Sequence, residues 1–205
     1  MTHDSRPETS ETARERSPLP PRQALQRRVA GSILDAAART FATRGERANL
    51  ADVAVAAGVA RATVYRYFPN RRRLLEELAH RAAEDAHARL EAARISEVPV
   101  EEGLSRAVRA FVDMGDAFIV LARERDWTEG DEFDRLVSRP LRGLLENGRL
   151  AGRIRQDIST AWLAESLVGI VAAALRHGSL GRDDTVATIT IVFLDGVLTA
   201  TGSER

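Results

Sequence analysis

Apolar residues recur at three- and four-residue steps along most of the chain. Val29, Ile33 and Phe41, for example, fall on one side of a helix that Gly45 would end. This spacing is the pattern of an amphipathic α-helix. Residues 185–200 are ambiguous, because their Thr, Ile and Val content favours a strand whereas their length and spacing favour a helix. No other segment is suited to pair with such a strand, so we predict an all-α fold.

Two short helices joined by a tight turn follow the first long helix. Asn49 is suited to cap the first of them, with Asp52 three positions later as the partner in a capping box. Gly58 permits the positive φ angle of the turn. In the next helix, Val64 and Phe68 lie one turn apart and form the buried face, so its polar and aromatic side chains point outward. This pattern is typical of a helix-turn-helix, whose second helix lies in the major groove of DNA.

Charge is distributed unevenly between the two ends of the chain. The 205 residues contain 30 basic and 30 acidic side chains, and every basic residue is an arginine. Residues 22–81 hold twelve arginines and five acids, a net charge of +7, whereas residues 82–205 hold fifteen arginines and twenty-one acids, a net charge of −6. A basic front indicates that only this part contacts a polyanion. Double-stranded DNA is the expected partner, and a non-DNA acidic partner of a helical interaction module is the alternative.

Other classes of function lack the residues that they require. The chain has no cysteine, no Gly-rich phosphate loop and no nucleophile motif, so we expect neither an enzyme nor a cofactor. His80 and His87 share a helix face without the carboxylates of a metal site, so no metal is expected. No apolar run reaches the roughly 20 residues that span a bilayer. Residues 1–21 are polar and Pro-rich, which predicts a disordered tail and not a signal peptide, and hence a cytoplasmic protein without membrane contacts.

Two stretches of the chain carry a resemblance to a known family. The sequence ILDAAARTFATRG at residues 33–45, followed by NLADVAVAAGVARATVYRYFPNRRRLL at residues 49–75, resembles the N-terminal DNA-binding domain of the TetR family of transcriptional regulators. The resemblance implies a three-helix DNA-binding domain with a helix-turn-helix at residues 22–69. It also implies a larger helical domain for ligand binding and dimerisation at residues 70–205.

Three positions depart from the family pattern. Ala60 stands where a Ser usually caps the recognition helix, so the start of this helix is expected to be weaker by about 1 kcal/mol. Ala62 stands where Gly is common, and Arg72 stands where an acid is usual. These departures alter individual contacts and leave the expected fold unchanged.

The outer face of the recognition helix and its flanks supply the expected DNA contacts. Arg61 can fork onto O6 and N7 of a guanine, and Arg66 can do the same one turn later or bind a phosphate. Tyr67 is expected to face outward and Tyr65 to lie at the boundary of the buried face, both with hydroxyls that bind phosphates. Asn49 and Arg71 lie at the N-termini of predicted helices, where free N–H groups attract phosphate. The predicted set is Asn49, Arg61, Ala62, Thr63, Tyr65, Arg66, Tyr67 and Arg71.

The resemblance implies a ligand pocket between the helices that follow. A helix predicted over residues 101–123 has a regular apolar stripe. Another is predicted over residues 132–147, where Pro140 implies a kink or a boundary near Arg139 and Gly148 is the expected cap. No charged anchor stands out, so the expected effector is a small apolar or aromatic molecule. A filled core is the alternative. The predicted lining residues are Leu104, Phe111, Met114, Phe118, Trp127 and Phe133.

A single helix-turn-helix covers only a few base pairs, so we expect a homodimer on a palindromic operator. The last two helices contain small residues that permit close packing, and two copies would form a four-helix bundle. The alternative is that these helices fill the monomer core. The predicted seam residues are Leu163, Leu167, Ile170, Ala174, Ile189, Phe193 and Val197. The expected function is that of a transcriptional repressor, which its effector releases from DNA by changing the spacing of the two recognition helices.

Overall fold

The computed structural model describes residues 21–124 and 132–198, and these residues form helices without any strand. Residues 185–197, ambiguous from their composition, are helical. The predicted all-α fold is therefore confirmed. The helices are α1 Pro21–Arg44, α2 Leu50–Ala57, α3 Arg61–Tyr67, α4 Arg71–Ala92, α5 Val100–Val112, α6 Asp116–Arg123, α7 Arg139–Leu150, α8 Thr160–His177 and α9 Arg182–Val197. Of the predicted tail only Pro21 is described, and Trp127 also lies outside the described residues.

Two hydrophobic cores divide the fold. The N-terminal core lies between α1, α2, α3 and the first turns of α4, and its fully buried side chains include Ile33, Val53 and Val64. The larger C-terminal core lies between α4, α5, α7, α8 and α9 and includes Phe111 and Leu167. The long helix α4 contributes to both cores, so it carries the N-terminal helices on the larger domain.

Helix α6 is the second element that joins the two cores. Val120 is buried in the N-terminal core, whereas Phe118 and Leu121 are buried in the C-terminal core. Ala117 packs against both. A rotation or shift of α6 would therefore disturb both cores at once, because packed interiors tolerate little free volume.

The helix predicted over residues 101–123 is two helices in the structure. α5 ends at Val112 and α6 begins at Asp116, because Gly115 takes a positive φ angle of 54° and interrupts the helix. The prediction was wrong because the apolar stripe continues across the break. Met114 and Phe118 on either side of Gly115 pack into the same core, so the hydrophobic period did not reveal the break.

The next helix also differs from its prediction. A π-helical turn, Asp134–Ser138, directly precedes α7, and Pro140 lies within the first turn of that helix. This turn is the irregularity that Pro140 predicted. α7 continues to Leu150 and passes through Gly148, so Gly148 is not the helix cap. A Cβ atom at Gly148 would lie 2.8 Å from the side chains of Val100 and Ile154, so close packing explains this glycine.

Candidate DNA-binding and effector sites

The recognition helix α3 has one buried face and one exposed face. Val64 is fully buried and Phe68, which follows the helix, is nearly so. Arg61, Ala62, Tyr65 and Arg66 are exposed, and Thr63 is half-buried. The hydrophobic spacing predicts the burial of Val64 and Phe68 and the exposure of Arg61, Ala62 and Arg66, whereas Thr63 is more buried than predicted. Because Val64 and Phe68 fix the helix against the N-terminal core, its outer face keeps a constant orientation.

Local hydrogen bonds fix the helices on either side of the turn. The side-chain oxygen of Asn49 accepts hydrogen bonds from the backbone N–H groups of Ala51 and Asp52, at 2.9 and 3.1 Å. Asp52 in turn accepts one from the backbone N–H of Asn49 at 3.0 Å, which completes the predicted capping box. Gly58 adopts the left-handed conformation, with φ 67°. Ala60, by contrast, gives α3 no side-chain cap.

The two tyrosines of α3 exchange the positions that were predicted for them. Tyr65, expected at the boundary, is 52% exposed. Tyr67, expected to face outward, is half-buried and packs against the N-terminal core. Tyr67 lies three residues after Val64, at the edge of the buried face, and its packing against the N-terminal core places the ring on the buried side.

Two arginines near the end of α3 are held by aromatic rings. The guanidinium of Arg66 lies over the ring of Tyr67, 5.2 Å from its centroid. That of Arg71 lies over the ring of Phe41 at 5.0 Å, and its Nε also donates a hydrogen bond to the carbonyl oxygen of Ala48 at 3.4 Å. Both contacts restrict the side chain without bringing an acid near its charge.

Ion pairing divides the described arginines into two groups. Up to Arg71, only Arg44 forms an ion pair, with Asp52 at 2.6 Å. From Arg72 onward, every described arginine except Arg176 pairs with a carboxylate. Apart from Arg44, the arginines up to Arg71 thus have no ion-pair partner among the described residues, which favours attraction of a polyanion.

The five described residues of the predicted effector site lie together in the C-terminal core. Leu104, Phe111, Met114, Phe118 and Phe133 are all buried, and the rings of Phe111 and Phe118 stack with centroids 4.5 Å apart. Surface cavities lined by described residues open elsewhere, of about 420 Å³ beside α5, α8 and α9, about 320 Å³ between α1, α4 and α6, and about 270 Å³ between α5 and α7. None of them is lined by these five residues.

The seam residues predicted on α8 and α9 lie mainly inside the monomer. Leu163, Leu167, Ile189, Phe193 and Val197 are buried in the C-terminal core, and Ile170 and Ala174 pack against it half-buried. Within the monomer, these side chains pack in or against the C-terminal core. The exposed apolar side chains of these two helices, which the sequence reasoning missed, are Trp162, Ile191 and Val192, at 63%, 59% and 58% exposure.

The two histidines of α4 contact the segment around the π-helical turn. Nδ1 of His80 lies 2.9 Å from a carboxylate oxygen of Glu132, and Nδ1 of His87 lies 3.2 Å from the carbonyl oxygen of Leu136. The hydrogen bond to Glu132 raises the pKa of His80 above its ordinary value, against the smaller opposing effect of burial. Among the described residues there is no group of three acidic or histidine side chains suited to a metal, and no helix long and apolar enough to cross a membrane.

An outward-facing recognition helix, a capped helix-turn-helix and a basic surface define a DNA-binding protein of the helix-turn-helix class. Comparison with known proteins places it more narrowly. The family model described as "Bacterial regulatory proteins, tetR family" matches residues 33–78. The HTH-type transcriptional repressor LfrR of Mycolicibacterium smegmatis is 40% identical over 174 residues, which cover 84% of this chain and 92% of LfrR. The chain belongs to the TetR family of transcriptional regulators.

Solved structures of this family share the fold. The crystal structure of LfrR from Mycobacterium smegmatis in complex with proflavine superposes with a TM-score of 0.68 and covers 85% of this chain and 99% of that one, at 26% identity. The regulator SCO0520 from Streptomyces coelicolor has a TM-score of 0.55 at 28% identity and covers 84% of this chain and 99% of that one.

Proposed function

We propose that the protein is a homodimeric repressor, which binds a palindromic operator and leaves it when a small apolar or aromatic effector binds. The observation that carries this proposal is the exposed face of α3, set among arginines of which only Arg44 forms an ion pair with a described acid. The similarity to LfrR, named a transcriptional repressor, supports the sign of regulation. The LfrR complex with proflavine supports an aromatic effector.

The proposed DNA contacts divide into base readout and phosphate binding. Arg61, exposed at the first position of α3, reads a guanine through its guanidinium fork. Ala62 and Thr63 are short enough to let the helix approach the groove, where Thr63 can contact a thymine methyl group or a phosphate. Arg66 and the exposed Tyr65 bind phosphates. Asn49 and Arg71, at the N-termini of α2 and α4, bind the backbone beside the groove.

Dimerisation is proposed to use the outer faces of α8 and α9. Trp162, Ile191 and Val192 give these faces a large exposed apolar area, which monomeric proteins rarely leave in contact with water. Gly169 and Ala173 on the exposed side of α8 allow the helices of two copies to approach closely. The buried seam residues predicted from sequence, such as Leu167 and Phe193, then support these faces from behind.

The proposed effector site lies at the stacked rings of Phe111 and Phe118. A ligand seated among these side chains must separate the two rings, because they fill the space between α5 and α6. Since Phe118 shares α6 with Val120, which is buried in the N-terminal core, this movement also displaces the DNA-binding helices. The effector thus favours a spacing of the two recognition helices that no longer matches the operator.

Selection of bound sequences from a pool of random duplex DNA tests this function. The proposal expects enrichment of a palindrome, whose two half-sites reflect the two-fold symmetry of the dimer. Binding that falls steeply with salt but enriches no sequence would indicate a non-specific basic module instead. Titration of the selected complex with a panel of apolar and aromatic compounds, proflavine among them, then tests release, and unchanged operator affinity across the panel would count against an effector role.

A further inference from the structure

The ring of Tyr67 is held in a fixed place at the end of α3. It is half-buried against the N-terminal core, and it lies 6.5 Å from the ring of Phe68, tilted by 39°. Phe68 is itself buried. The Tyr67 ring therefore has little freedom to turn toward a ligand, and its outer face is available to a neighbouring side chain.

That neighbour is Arg66, whose guanidinium lies over the Tyr67 ring at 5.2 Å. A cation is attracted to the face of an aromatic ring, and the contact orients the planar guanidinium. An aromatic ring differs from a carboxylate in one respect that matters here. It holds the guanidinium without cancelling its charge, whereas the ion pairs of Arg72 and Arg73 with Glu76 offset theirs.

Arg71, which begins α4 after the short connection at residues 68–70, shows the same arrangement. Its guanidinium lies over the ring of Phe41 at 5.0 Å, and it forms no ion pair with a described acid. Two neighbouring arginines are thus positioned by aromatic rings and keep their full charge. This combination suits the binding of a phosphate, which needs both a fixed donor geometry and an uncompensated positive charge.

The geometry points to Tyr67 as a positioning residue, whose ring holds Arg66 ready for a phosphate of the DNA backbone, and not as a phosphate ligand in its own right. Tyr65 is the contrasting case, because it is 52% exposed and no described arginine lies over its ring. The two tyrosines of one helix therefore have different roles. Tyr67 acts through its ring, which positions Arg66, and Tyr65 acts through its hydroxyl, which binds a phosphate. This inference rests on the proposed binding of DNA.

The test removes the hydroxyl and the ring in separate variants. Tyr67→Phe keeps the ring and is expected to bind the selected operator within about twofold of the wild type, whereas the matched variant Tyr65→Phe loses affinity. Tyr67→Leu removes the ring and is expected to weaken binding about two- to fivefold per half-site, the range of exposed cation–π contacts. The plot of the logarithm of operator affinity against the logarithm of salt concentration has a negative slope. Arg66→Gln is expected to make this slope shallower by about 0.9 per half-site, the effect of one phosphate contact.

A double-mutant cycle separates positioning from a structural role. If Tyr67 acts through Arg66, Tyr67→Leu has no further effect on operator affinity in the Arg66→Gln background. A loss that persists in this background would overturn the inference, because it would show that Tyr67 supports α3 independently of Arg66. A loss in Tyr67→Phe equal to that of Tyr65→Phe would also overturn it, and this variant does not depend on core packing. Failure of the wild type to bind any selected duplex would instead refute the proposed function.

Discussion

Asn49 is predicted to have two separable roles, as the cap of α2 and as a DNA contact. Its side-chain oxygen accepts hydrogen bonds from the backbone N–H groups of Ala51 and Asp52. The N–H groups of its side-chain amide are therefore left to donate to a phosphate. Replacement of an Asn cap by Ala costs about 1 kcal/mol, which for a chain of this length lowers the unfolding temperature by about 2–4 °C. Loss of one donor to a charged phosphate costs about 1.5–3 kcal/mol per half-site, or roughly ten- to a hundredfold in affinity.

Three substitutions at Asn49 distinguish these roles. Asn49→Ala is expected to lower both the free energy of unfolding and operator affinity. Asn49→Ser keeps a capping oxygen, so stability stays within about 0.5 kcal/mol while affinity falls. Asn49→Asp also keeps the cap and adds a negative charge that repels phosphate, so its affinity falls further and its salt dependence decreases.

The assays are urea denaturation at a single protein concentration, because dimerisation makes stability concentration-dependent, and fluorescence anisotropy with a labelled operator. If Asn49→Ser binds the operator as tightly as the wild type, Asn49 acts as a cap alone and is not a DNA contact. If Asn49→Ala unfolds at the same urea concentration as the wild type, the capping box adds no measurable stability, and the argument from its hydrogen bonds is refuted.

Three further predictions concern other parts of the fold. Ala60→Ser is expected to raise the free energy of unfolding by up to about 1 kcal/mol, because Ala60 has the extended backbone of a cap; an unchanged urea midpoint would contradict this. The raised pKa of His80 beside Glu132 means that protonated His80 adds stability below about pH 6.5, which is lost as pH rises through the raised pKa. The free energy of unfolding of the wild type should therefore exceed that of His80→Gln by a larger amount at pH 6 than at pH 9. A difference independent of pH would exclude this effect. Trp162→Glu is expected to halve the mass measured by light scattering, whereas the control Leu150→Glu, at a still more exposed apolar position on α7, leaves it unchanged; a dimeric Trp162→Glu protein would exclude the α8–α9 seam.

The helix-turn-helix was predictable because its signals are local. The cap at Asn49, the left-handed turn at Gly58 and the buried pair Val64 and Phe68 each depend on residues at most four positions apart. The position of Tyr67 was not predictable in the same way. Its face is shared between the core and solvent, and only the packing of the whole domain decides which side its ring takes.

The C-terminal domain was less predictable because its signals are ambiguous. In α8 and α9 apolar residues occur on both the buried and the exposed faces, so spacing did not distinguish Leu167, which is buried, from Trp162, which is not. The break at Gly115 was hidden by an apolar stripe that continues across it. Gly148 was mistaken for a cap because close packing against Val100 and Ile154 leaves no trace in the local sequence.

The central claim is that α3 reads base sequence through its exposed face, with Arg61 as the principal reader. The most direct measurement is a comparison of the sequences that the wild type and Arg61→Ala select from the same random pool. We predict that Arg61→Ala selects the same palindrome with relaxed preference at one base pair in each half-site, at a cost of about 1–3 kcal/mol there. A uniform loss of affinity over all sequences, or an unaltered preference at every position, would contradict it.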